Sequence, residues 1–88
     1  MELTFVQQSG KYVAEFEAAG DFNLHVEKPY GPMWISQRTA GTKWDRVKAI
    51  KGLGEESTFD YDFTGTVYPK SIRIECEVEP TLAVVTFA

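Results

Sequence analysis

The chain has one cysteine, one histidine and no long apolar run, and each shortage excludes something. With Cys76 alone, no intrachain disulfide forms and no cysteine-built metal cluster is possible. Gly-x-Ser-x-Gly, His-Glu-x-x-His and phosphate-loop patterns are missing as well, so no cofactor and no catalytic residues are expected. No stretch approaches the roughly 18 apolar residues that a membrane helix needs, and a membrane is not an expected partner. The opening MELTFVQQSGK has neither the basic leader nor the apolar run of a signal peptide. Positive charge is also scarce, with 9 Lys and Arg against 13 Asp and Glu, a net charge of -4. An acidic chain repels phosphate backbones, so nucleic acid is not an expected partner either.

What is present points to one small domain spanning residues 1 to 88, with chain for a single core. A composition of 43% hydrophobic and 25% charged residues is that of a globular chain. Gly10, Gly20, Gly31, Gly41, Gly52, Gly54, Gly65 and Pro80 punctuate it at intervals suited to short strands. Between them the pattern has a period of two. KYVAEFEA sets Tyr12, Ala14, Phe16 and Ala18 against Val13, Glu15 and Glu17, and FNLHVEK sets Phe22, Leu24 and Val26 against Asn23, His25 and Glu27. STFDYDFTG sets Phe59, Tyr61 and Phe63 against Asp60 and Asp62, and SIRIECEVEP sets Ile72, Ile74, Cys76 and Val78 against Arg73, Glu75, Glu77 and Glu79. Half-buried antiparallel strands demand this pattern. ELTFVQQ opens the set, MWISQRTA and TKWDRVKAI supply middle strands, and TLAVVTFA closes it. The expected fold is an all-β antiparallel sandwich of about eight strands, of jelly-roll type first and immunoglobulin-like second. KPYGP reads as a constrained turn and IKGLGEES as the most mobile loop.

The chemistry-bearing candidates are few. Cys76 lies on an apolar face and reads as a small buried hydrophobe. His25 with Glu27 would make half of an acid–base dyad, although a solvated strand residue explains the same pattern. Asp60 and Asp62, with Glu55 and Glu56, would offer oxygens to calcium, but alternating Asp equally keeps a strand face wet. Trp34, Trp44 and Tyr30 are the rings on which a sugar would stack, if they are exposed. The row Glu75, Glu77, Glu79 calls for cationic neighbours, and the basic run Arg38, Lys43, Arg46, Lys48 and Lys51 supplies them from the same sheet or from another copy.

The blocks YVAEFEAAGDFNLHVEK, SQRTAGTKWDRV and YPKSIRIECEVEPTLAVVTFA resemble the small all-β structural proteins of tailed bacteriophages, especially the head-fibre and capsid-decoration proteins of crAss-like phages. That resemblance implies a virion component made in the host cytoplasm, self-associating into trimers or other homo-oligomers, and attached to other virion proteins. The expected interface residues are Trp34, Arg38, Trp44, Arg46, Val85 and Phe87, the last two because TLAVVTFA offers apolar side chains to both sides. The alternative is a carbohydrate-binding module that holds surface glycans on Tyr30, Trp34 and Trp44.

Overall fold

The alternation folds as it reads. In a computed structural model, which describes residues 1–28, 30–38, 43–51, 58–64 and 69–88, the chain forms eight strands, with no helix among the described residues. They are β1 (Val6–Gln8), β2 (Lys11–Ala18), β3 (Phe22–Glu27), β4 (Met33–Arg38), β5 (Asp45–Ile50), β6 (Thr58–Phe63), β7 (Lys70–Cys76) and β8 (Leu82–Phe87). One sheet has the order β1-β2-β7-β4-β5, the other β6-β3-β8, and all described pairs are antiparallel. Of the seven links between consecutive strands, only β1–β2 and β4–β5 stay within a sheet, and the other five cross to the opposite one.

The two sheets form a β-sandwich because the apolar half of each alternation has to meet another apolar face. Ala14, Phe16 and Ala18 of β2, Met33 and Ile35 of β4, and Ile72, Ile74 and Cys76 of β7 face Phe22, Leu24 and Val26 of β3 and Ala83 and Val85 of β8 in one buried cluster. The ring of Phe16 meets that of Phe22 across the sandwich edge to face, with centroids 5.2 Å apart. Phe22 in turn stacks on Phe63 of the neighbouring strand at 4.9 Å.

Local chemistry explains the hairpin that opens the larger sheet. Gln8 pairs with Lys11 around a two-residue loop, Ser9 and Gly10, at φ 51° and 79°. Two positive φ values in succession make the turn whose twist matches that of the flanking strands, and Gly adopts it without steric cost.

Three expectations need correction. ELTFVQQ is not one strand: Val6–Gln8 joins the larger sheet, whereas residues 1 to 3 run antiparallel to β8. There the amide of Leu3 donates to the carbonyl of Ala83 at 2.8 Å, and the amide of Val85 to that of Met1 at 2.8 Å. The segment changes sheets because β8 would otherwise leave its outer edge unpaired. The acidic row is likewise cut short. β7 ends at Cys76, and Glu77, Val78 and Glu79 lie exposed in the bend beyond it, so Val78 does not join the core. Finally, TLAVVTFA buries Ala83 and Val85, with Leu82 and Val84 half-buried on its other side. TKWDRVKAI is a strand from Asp45 on, with a bulge in its pairing with β4, and the IKGLGEES loop, Gly52 to Ser57, lies outside the described residues.

The core sets the expected response to truncation. Leu24 is fully buried between the sheets, so Leu24→Ala should cost about 2–5 kcal/mol in urea unfolding. Val6→Ala, at a side chain 53% exposed, should stay within about 0.5 kcal/mol of wild type.

Candidate functional site

With the inner faces consumed by the core, functional chemistry falls to the two outer faces and to the open edge of the sandwich. On the larger sheet the pairing register lines up Val13, Glu75, Trp34 and Ala49 in one outward row, and Glu15, Arg73, Ser36 and Arg46 in the next. Two indoles and four cations meet here. Nζ of Lys11 lies 5.1 Å from the Trp34 ring centre and the Arg46 guanidinium 5.7 Å from it. The guanidinium groups of Arg38 and Arg73 each lie 4.4 Å from the ring centre of Trp44. Within about 6 Å a cation is held by the negative face of an aromatic ring. Arg73 also donates from Nε and Nη2 to Oε2 of Glu15, at 2.9 and 2.8 Å. Long side chains laid flat in this way cover the sheet beneath, and Val13 and Ser36 are buried although both point outward.

Four of the six expected interface residues, Trp34, Arg38, Trp44 and Arg46, therefore share one side of the molecule. Both tryptophans are half-buried and Arg46 is exposed. Val85 does not belong with them, because its side chain is fully buried in this chain's own core and offers nothing to a second copy. Phe87, 43% exposed, sits at one end of the sandwich beside Phe16 and Phe22. Tyr30 is 50% exposed in the β3–β4 link. Lys11 and Arg73 were not singled out from the sequence, although alternation along β2 and β7 places both on the polar side.

The outer face of the smaller sheet has the opposite character. Asn23 donates from Nδ2 to Asp60 Oδ1 at 2.7 Å and to Asp62 Oδ1 at 2.9 Å. His25 sits between carboxylates, with Nδ1 2.9 Å from Asp60 Oδ2 and Nε2 2.9 Å from Glu27 Oε2. Only the imidazolium can donate to both at once. The bond to Glu27, followed by that to Asp60, raises the His25 pKa above 6.5. The Asn23 amide, followed by His25, lowers that of Asp60 below 3.8. Both ring nitrogens are thus engaged by carboxylates. Among the described residues no group of three or more His, Cys, Asp or Glu is placed to hold a metal ion, and Glu55 and Glu56 lie outside those residues.

At the β5–β6 edge the sandwich opens into a cleft of about 350 Å³ lined by Gln37, Val47, Lys48, Tyr61, Phe63 and Lys70. Nζ of Lys48 points over the Tyr61 ring at 4.6 Å, and Nζ of Lys70 donates to Gln37 Oε1 at 3.0 Å. A bulge and an inward-pointing lysine are devices that keep an edge strand from pairing with another chain, and β5 carries both.

Cys76 is fully buried, and burial, with the charge of Glu75 adding to it, pushes its thiol up to about 12. No protein-family model, curated protein or solved structure matches the chain. The two sheets define the class, a small antiparallel β-sandwich.

Two measurements check this chemistry. A group whose pKa is raised on folding adds stability that is complete below its unfolded value and is lost as pH rises through the folded one. Wild type should therefore lose thermal stability relative to His25→Gln as pH climbs from below 6.5 through the folded-state midpoint, and an NMR titration of the ring should place that midpoint above 6.5. Cys76 should resist a disulfide reagent at pH 8 in the folded protein and react at once in denaturant; rapid labelling of the native protein would contradict its burial.

Proposed function

We propose that the chain is a non-enzymatic structural protein that self-associates through the outer surfaces of its β-sandwich, as a building block of a bacteriophage virion of the head-fibre or capsid-decoration kind. The observation that carries the self-association is the gathering of Trp34, Arg38, Trp44 and Arg46 on one sheet face. Trp and Arg are the residue types over-represented at the energetic centres of protein interfaces. The engagement of both His25 nitrogens by carboxylates supports the non-enzymatic part.

The virion setting rests on the sequence resemblance, and the strand order supports it by analogy of fold. The opening segment is shared between the sheets, so the smaller runs residues 1–3, β8, β3, β6 and the larger β1, β2, β7, β4, β5, and five of the links pass between them. This wrapping favours a jelly roll over an immunoglobulin-like sandwich, and jelly rolls build both viral capsid and lectin domains. The lectin half of that analogy keeps a second reading in play, glycan binding on Trp34 and Trp44, which share one face. Against it, each indole already carries two cations within 6 Å, which compete with a sugar for the ring faces.

Light scattering over a range of protein concentration tests the reading. Mass should rise above the 9.9 kDa of one chain, with a parallel shift in tryptophan emission. A constant monomer mass together with an emission shift on adding glycans would replace self-association by the lectin reading.

A further inference from the structure

The outer face of the smaller sheet is acidic, and the β4–β5 half of the larger sheet's outer face is basic. On the smaller sheet the outward side chains of β3, β6 and β8 are Asn23, His25 and Glu27, Thr58, Asp60 and Asp62, and Leu82, Val84 and Thr86, which hold three carboxylates against one imidazolium and no lysine or arginine. On the larger sheet the half built by β4 and β5 presents Trp34, Ser36, Arg38 and Arg46, with Trp44 beside them; its one carboxylate, Asp45, pairs with Gln37 at the end of β5 and alternates to the other side from Arg46. The carboxylates of that face, Glu15, Glu17 and Glu75, lie on β2 and β7, where Glu15 is bound by Arg73 and Glu17 accepts from Ser71.

We propose that copies of this chain stack head to tail, the Arg38–Arg46–tryptophan half of the larger sheet docking on the Glu27–Asp60–Asp62 face of the next copy's smaller sheet. The inference rests on the self-associating reading and names its surfaces. A second copy is the fitting occupant because every chain carries both halves of the complementary pair. Pairing either face with itself would oppose arginine to arginine or aspartate to aspartate, which charge complementarity disfavours. The two faces look away from each other across the sandwich, so the contact is heterologous and extends as an open series instead of closing on a two-fold axis. Three strands of about six residues give a footprint of roughly 300 Å² per partner, below the roughly 800 Å² of a standard stable complex. Association is accordingly weak, graded with concentration and sensitive to salt.

Sedimentation velocity on the full chain tests this with two double variants, R38S/R46S and D60N/D62N, each checked for folding by circular dichroism. Wild type should grow in mass with concentration at about 20 mM salt and shrink toward monomer at about 300 mM. Each variant alone should associate about tenfold more weakly. Their equimolar mixture should recover 1:1 pairs, because the Asn variant keeps the basic face and the Ser variant the acidic one. Should the Asn substitutions unfold the protein, T58K/T86K places cations on the same face at two exposed threonines and should block stacking equally. Loss of association in only one variant with no recovery on mixing, or no change in either, would overturn the stacking and leave self-association standing through another surface. A wild type that stays monomeric at every concentration would overturn both.

Discussion

Everything in this molecule depends on a period of two that must be kept in register across eight strands. A slip of one residue in any strand would turn its apolar set to water and its charges to the core, so the burial of one face fixes the pairing of all. β7 shows how tight the constraint is. Ile72 and Ile74 are buried between Phe16 and Ala14 of β2 on one side and Gln37 and Ile35 of β4 on the other, while Arg73 between them faces Glu15 and Ser36 outside. The residues that hold the fold and the residues that meet solvent are therefore consecutive in sequence and separate in space.

The magnitudes say which set holds the structure. Burying a leucine or isoleucine side chain is worth roughly 1.5–3 kcal/mol, and Leu24, Ile35, Ile72 and Ile74 are each buried to 2% exposure or less. An exposed ion pair such as Arg73–Glu15 contributes roughly 0.2–1 kcal/mol, and a surface cation–ring contact roughly 0.5–1 kcal/mol. The outer layers are thus small terms in stability, and their composition can be set by what they contact. Edge control follows the same economy. β1 is three residues long, β5 is bulged and aims Lys48 inward, and residues 1 to 3 cover β8.

Much of the site was legible in the same alternation that gave the fold. Trp34 falls out of phase with Met33 and Ile35, and that alone assigns it to the outer face. The failures have a common cause. Alternation in SIRIECEVEP continues past the end of the ladder, because nothing in the side-chain pattern marks where hydrogen bonding to β2 and β4 stops at Cys76. The pattern of TLAVVTFA points Val85 to an interface because a strand apolar on both sides reads the same whether its second side meets a subunit or lies half-covered, as Leu82 and Val84 do, on its own sheet. The pairing of Lys11 and Arg73 with Trp34 and Trp44 is not legible in the sequence, because these residues are distant along the chain and become neighbours only through register.

The sequence by itself determined the strand count, the inward and outward sides of β2, β3, β6 and β7 and the position of Cys76 in the core. These follow from local periodicity, which any segment displays without reference to the rest. Only the tertiary structure decided which strands lie side by side, that the opening segment divides between two sheets, that His25 is held between Asp60 and Glu27, and that an acidic face lies across the sandwich from a basic half-face. Those are relations between residues up to 84 positions apart, and they exist only once burial has selected one register from the many that the same alternation allows.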